Sequence, residues 1–226
     1  MSVASFRHAA IRKGEAIPGH LIADGPLPGW HPPALAQAHA ALDAMAKSQW
    51  LWWRVAQPAS RREILADLVE DSPAGVVWNS ARETEYLLGL MSPLNLAKVQ
   101  AARNQKRKIA GCVYRRTRPD SMGVRRQRAE VRFDDIAGCL RTPSGGSSRQ
   151  TLLIVEGNSL RSRLLSPREA ARLMGLADSY VLPARYNDAC HLAGDGVCVP
   201  GVRHIAQHLL EPVLAANAVV PALIAA

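Results

Sequence analysis

Apolar positions along the chain change period twice, and the changes mark helical, then extended, then again helical parts. Leu35, Ala38, Leu42 and Met45 recur at helical spacing and predict one helix over residues 34–47. Arg62 to Val69 predicts a short helix ended by Asp71-Ser72-Pro73. Two more follow over 84–90 and 93–103, the second opened by a Ser-Pro cap. From Gly111 the period drops towards two. Cys112–Arg115 reads as a strand, Arg118–Gly123 as a turn and Gln127–Phe133 as a strand of alternating polar and apolar residues, so a hairpin is predicted. Thr151–Glu156 reads as a compact apolar strand, and no βαβ unit repeats.

Residues 163–204 carry the sharpest local signals. Ser166 stands three residues before Glu169, a capping box, and Pro167 occupies the first helical position, where its missing N–H costs nothing. A short helix is predicted from Pro167, with Ala170, Leu173 and Met174 on one face, Arg168 and Arg172 on another, and Gly175 as its stop. Gly194-Asp195-Gly196-Val197 reads as a loop into a second helix, whose apolar positions Val202, Ile205, Ala206, Leu209, Leu210 and Val213 face a core.

The N-terminal third is less regular. Residues 1–12, around Phe6, Ala9, Ala10 and Ile11, predict a strand with no partner in view, and the proline- and glycine-rich 17–33 predicts an ordered loop. Trp50, Trp52 and Trp53 predict packing at a domain seam, with base stacking the less favoured reading.

Charge changes this picture. The 226 residues carry a net charge of +9, and between Arg103 and Arg149 thirteen Lys or Arg stand against four acidic residues, so that segment holds the whole excess. Glycine and turn residues interleave with these arginines, which fits loops presenting Arg to a polyanion better than a solvated helix face. The hairpin arginines Arg115, Arg116, Arg118, Arg125, Arg126 and Arg128 are therefore candidates for contacting nucleic acid. Hydrophobic residues, 48% of the chain, suffice for a core, and no run reaches the ~18 apolar residues of a membrane span. A cytoplasmic protein is expected. Cys112, Cys139, Cys190 and Cys198 lie too far apart for a Cys-x-x-Cys zinc pattern or a disulfide framework.

The run Arg163-x-Leu-Ser-Pro-Arg-Glu-Ala-Ala-Arg-Leu-Met-Gly175, then Asp178-Ser179-Tyr180, then Gly194-Asp195-Gly196-Val197, resembles the ninth and tenth motifs of DNA cytosine-5 methyltransferases. The resemblance is specific after about residue 130 and loose before it. It implies an α/β fold, α+β within this piece: the C-terminal part of a Rossmann-like S-adenosyl-methionine-dependent methyltransferase with a target-recognition domain containing the basic hairpin. It divides the chain into 1–30, the end of the catalytic core; 31–160, the target-recognition domain, DNA-facing over 103–150; and 161–226, the returning motif helices. Residues 136–150 are similar to the glycine-rich loops with which such domains read the major groove, although Cys139-Leu140 stands where many relatives have Thr-Leu. Arg141, Gly145, Gly146 and Arg149 are the candidates there, since glycine permits close approach and arginine supplies donors.

The same resemblance implies that Arg163, Ser166, Pro167, Arg168 and Glu169 orient the recognition domain. Gly194, Asp195 and Val197 match the tenth motif's Gly-Asn-x-Val with Asp for Asn. They imply either a share in an S-adenosyl-methionine site or only a cap for the following helix. The family's chemistry needs a cysteine thiolate after a proline and a Glu-Asn-Val segment. Neither occurs here, no glycine-rich cofactor loop opens the chain, and Arg125–Arg128 reads as hairpin charge, not as the eighth motif. The expectation is therefore no catalytic residue and no metal. It is a double-stranded-DNA-recognising part of a restriction-modification type enzyme, nucleoid-associated in a prokaryote, needing a separate catalytic subunit or being a truncated product. A stand-alone DNA-binding or regulatory module is the alternative, and a non-functional remnant with an exposed hydrophobic seam a third.

Overall fold

Two antiparallel sheets carry the fold. The structure, a computed structural model, describes residues 4–6, 16–60, 62–119, 122–142 and 149–218; it divides into one unit of residues 1–59 with 201–226 and a second of residues 60–200.

In the first unit β1 (Ala4–Phe6) and β2 (Ile22–Ala23) flank β3 (Trp50–Trp53). The N-terminal strand thus has a partner, which corrects the expectation that it lacks one: Phe6 lies opposite Trp50 and Ala4 opposite Trp52. The remaining apolar positions expected of that strand, Ala9 to Ile11, lie outside the described residues. Alternation along β3 sends Leu51 and Trp53 into a core with Leu21, Val55 and Leu209. Trp52 faces the other way, edge-on to His31 at 4.8 Å and His39 at 4.9 Å. Trp52 and Trp53 are 5% and 4% exposed, so they fill the interior of one unit and form no exposed seam. The single helix expected over 34–47 is two, α1 (Pro33–Ala40) and α2 (Ala44–Ser48), because the Asp43 carboxylate accepts from the Ala46 amide at 2.7 Å and caps a new start.

The second unit places α3 (Leu65–Leu68), α4 (Ala81–Gly89) and α5 (Pro93–Arg103) before a four-stranded sheet of order β5-β4-β6-β7. Its strands are β4 (Lys108–Pro119), β5 (Arg125–Arg132), β6 (Thr151–Glu156) and β7 (Ser159–Leu164). One face buries Ile109, Val113, Val131, Leu153 and Val155 against Leu87, Met91 and Val99 of α4 and α5. The other buries Ala110, Cys112, Leu152 and Ile154 against Leu65, Leu165, Ala170 and Ala193. Covered on both faces, β6 reads as an unbroken apolar run. After β7 come α6 (Pro167–Leu173), α7 (Tyr186–Asp195) and α8 (Val199–Ile205), which continues through a π-helical turn (Ala206–Leu210) into α9 (Glu211–Ala218). Among the described residues no helix is long and apolar enough to cross a membrane.

Candidate nucleic-acid interface

The two strands of the predicted hairpin pair, but they run farther than expected: Arg118 and Pro119, read as turn residues, are strand residues opposite Arg126 and Arg125, and the register sets the charge pattern. Arg116 lies opposite Arg128 and Arg118 opposite Arg126, on the face that carries Cys112 and Tyr114 at the root of the strand. Arg115, opposite Ala129, and Arg125, opposite Pro119, lie on the reverse face. Beyond the last pairing with β6, Val113 with Thr151, the two strands leave the sheet, still held at Ala129, whose amide donates to the Leu90 carbonyl at 3.0 Å, and all six arginines are exposed. Like charges directly opposite one another oppose pairing. An anion held between them removes that penalty.

At the ribbon's root a groove of about 1310 Å³ collects Arg115, Arg116, Arg118, Arg128, Arg141 and Arg149. Lys98 and Arg132 also line it, and among the described residues Glu130 is its single carboxylate. Arg125 and Arg126, farther out, do not line it, and Gly145 and Gly146 lie outside the described residues. Asn95 ties the groove wall to the sheet: its Oδ1 accepts from the Val131 amide at 3.2 Å and from Lys98 Nζ at 3.3 Å. Arg132 is paired with Asp134, whose carboxyl this guanidinium holds below the usual carboxylate range.

Behind the sheet lies a clasp. Ser166 Oγ accepts from the Glu169 amide at 3.1 Å and Glu169 Oε2 from the Ser166 amide at 2.8 Å, the capping box that starts α6 at Pro167. The same carboxylate receives Arg163 in a two-pronged ion pair at 2.6 and 2.7 Å, wholly out of solvent. Burial opposes the charge on Glu169, but hydrogen bonds from Arg163, Ser166 and Glu70 outweigh it and hold its carboxyl below the ordinary value. Glu70, which nothing in the local pattern singles out, is gripped on both sides: its amide donates to Glu169 Oε1 at 2.7 Å and its carbonyl accepts from Arg163 Nη2 at 2.8 Å. Ser166 Oγ also donates to the Glu70 carboxylate at 3.0 Å. Trp78 stacks against Arg161 and Arg163, whose guanidinium carbons lie 4.2 and 4.7 Å from its ring centre. Arg168 donates to the carbonyls of Ala177 and Tyr180, and Arg172 makes a bidentate pair with Asp178, so the turn after α6 is held from within α6 itself.

The 194–197 segment differs from expectation. Gly194 and Asp195 are the last turn of helix α7, and only Gly196 and its successors form the link to α8. The sequence hides this helix because Asn187, Asp188 and Gly194 dilute its apolar stripe; its buried residues are only Ala189 and Ala193. A side chain at Gly194 would put its Cβ 2.6 Å from the Thr142 amide nitrogen, so the glycine makes room for the loop backbone. Asp195 and Val197 are exposed, Val197 by 69%.

Burial pushes the Cys112 and Cys190 thiols up, away from the thiolate form that attacks carbon. Among the described residues no three His, Cys, Asp or Glu side chains are grouped to hold a metal ion.

Fold and site together define a mixed α/β protein that presents an arginine-lined groove beside a basic two-stranded ribbon. A family model for C-5 cytosine-specific DNA methylase matches residues 48–211, and the chain belongs to that family. It is 34% identical over 59 residues to Type II methyltransferase M1.ScrFI of Lactococcus lactis subsp. cremoris, a stretch covering 26% of this chain and 15% of that protein. It is 37% identical over 57 residues to Type II methyltransferase M.NlaX of Neisseria lactamica, covering 25% of this chain and 18% of that protein. The chain thus aligns with less than a fifth of either relative's length. No solved structure matches.

Proposed function

We propose that this chain is the DNA-recognising part of a cytosine-5 methyltransferase of restriction-modification type, acting on double-stranded DNA. The observation that carries the reading is the groove that, among the described residues, holds eight cationic side chains and one carboxylate at the root of a solvated arginine ribbon. A two-stranded ribbon fits the major groove of B-DNA, phosphates can occupy the space between Arg116 and Arg128, and arginines at its edge can reach guanine. Arg163, Glu169 and Glu70 do not touch DNA in this reading; they fix the sheet that carries the ribbon.

The chemistry lies elsewhere. The sequence holds neither Pro-Cys nor Glu-Asn-Val, so the attacking thiolate and its assisting carboxyl belong to other residues, in the same or a partner polypeptide. S-adenosyl-methionine supplies the methyl group in this family. Of the three candidate residues for it, Gly194 is taken up by the loop backbone, Asp195 is exposed on the last turn of α7 and Val197 is exposed just after it, so they build no cradle by themselves. The donor is held principally by residues not in this sequence.

The test is binding of this chain to a labelled duplex across a salt series. The expected result is a plot of log affinity against log salt with a slope steeper than about −3, from several phosphate contacts. Absent or salt-insensitive binding overturns the reading. Methyl transfer on addition of a polypeptide bearing the Pro-Cys and cofactor segments supports a split enzyme; sequence-selective binding without it points to a stand-alone module.

A further inference from the structure

We propose that helix α7 is the seat that aims Arg141 and Arg149 at DNA, with Asn187 and Gly194 as positioning residues for sequence selectivity. The inference rests on the DNA-recognition reading above.

The argument starts from spacing. Asn187 and Gly194 are seven residues apart, two helical turns, and so share one side of α7. Asn187 meets Arg149, and Gly194 meets the backbone of Arg141 and Thr142. Arg149 Nη2 donates to Asn187 Oδ1 at 3.0 Å while its guanidinium lies 5.4 Å from the Tyr186 ring centre. Tyr186 is itself fixed, its hydroxyl donating to the Leu165 carbonyl at 3.1 Å. A Cβ on Gly194 would stand 2.6 Å from the Thr142 nitrogen and 2.7 Å from the Arg141 carbonyl carbon. Both are backbone atoms, which cannot swing aside as a side chain can. The seam among Leu140, Gln150, Tyr186, Cys190 and Ala193 leaves a cavity of only about 30 Å³, so Leu140–Arg141 and Arg149–Gln150 rest on the helix with little slack.

This geometry gives Arg149 a direction. One of its five N–H donors is spent on Asn187 and its plane is set against Tyr186; the others remain for a base edge or phosphate. The exposed Arg149–Asn187 contact adds little stability, since such surface contacts rarely do. Its effect is orientation, and guanine readout by arginine depends on orientation, each such pairing being worth about tenfold or more in discrimination.

The experiment selects binders to the full chain from a duplex pool randomised over about ten base pairs. It then compares affinity for the selected duplex with that for a scrambled one. Asn187→Ala and Gly194→Ala are expected to lower this ratio about tenfold, while scrambled-duplex affinity and the salt slope stay at wild-type values. Asn187→Asp, which keeps the acceptor oxygen, is expected to restore the ratio. Asn187→Ala should add nothing to Arg149→Ala if it acts through that arginine. Should Gly194→Ala fail to fold, the exposed Asn187 variants decide the matter alone. The proposal is overturned if a wild-type chain that selects a sequence does so with the same ratio after Asn187→Ala, or if specific and scrambled binding fall in parallel. A wild-type chain that binds DNA without selecting any sequence also overturns it, and separately removes the sequence-reading part of the proposed function.

Discussion

Arg163 and Glu169 face each other across a sheet-to-helix junction with both nitrogens of one fork on both oxygens of the other, at 2.6 and 2.7 Å, and neither reaches solvent. Removing one partner leaves a buried charge alone. Glu169→Gln is therefore expected to cost about 3–5 kcal/mol of unfolding free energy, measured by urea denaturation. Replacing the pair together, Arg163→Met with Glu169→Leu, should cost much less. A single-variant loss below about 1 kcal/mol would show that the clasp does not hold the sheet.

Acidity tests the same pair. The Glu169 carboxyl titrates below its ordinary value of 4.5 in the folded chain. A depressed folded value means that the stabilisation is complete above the ordinary value and is lost as pH falls through the folded one. Urea midpoints should hold between about pH 7 and pH 5 and then drop, and the drop should be shallower in Glu169→Gln. Parallel pH curves for the two proteins would contradict the assignment.

Arg116 and Arg128 give a prediction of opposite sign. They are directly opposed across the ribbon, so Arg116→Gln is expected to stabilise the DNA-free chain by about 0.2–1 kcal/mol at low salt. The gain should fade in high salt, where the repulsion is screened. On DNA the same change should make the salt slope shallower by about 0.9, one phosphate contact. Thermal melts and anisotropy titrations measure the two effects, and a variant weaker in both respects would speak against opposed charges held for an anion.

Two glycines with left-handed backbone separate strain from crowding. Gly175 (φ 80°) ends α6, and any Cβ there would collide with the Pro200 ring, whereas Gly157 (φ 56°) has nothing within 4 Å. Gly175→Ala should cost about 1–3 kcal/mol in denaturant unfolding, and Gly157→Asn only a few tenths. Equal costs would mean that backbone conformation alone governs both sites.

How much of this was readable in advance depended on whether the signal was local. The caps of Ser166 with Glu169 and of Ser92 act over three residues, so both helix starts stand in the sequence and in the structure. The hairpin arginines were visible as a density of charge. Strand β7 was not, because Arg163 looks like a solvent residue until Trp78 and Glu169 cover it. Glu70 is a second case: its amide and carbonyl matter more than its side-chain type, and a backbone role leaves no trace in composition. Gly194 misled in the other direction. Next to Asp195 and Gly196 it suggested a loop, while its actual work is to let another backbone pass close to a helix.

Strand β4 is buried from Ile109 to Val113 and exposed from Arg115 to Pro119, so one continuous element belongs to two regimes of local stability. Amide hydrogens at its root should exchange with deuterium only when the whole unit opens. Those beyond Arg115, in an isolated pair of strands, should exchange through frequent fraying. The ribbon is therefore a compliant finger on a stiff knuckle: its strands beyond Arg115 can twist without the deformation reaching the core.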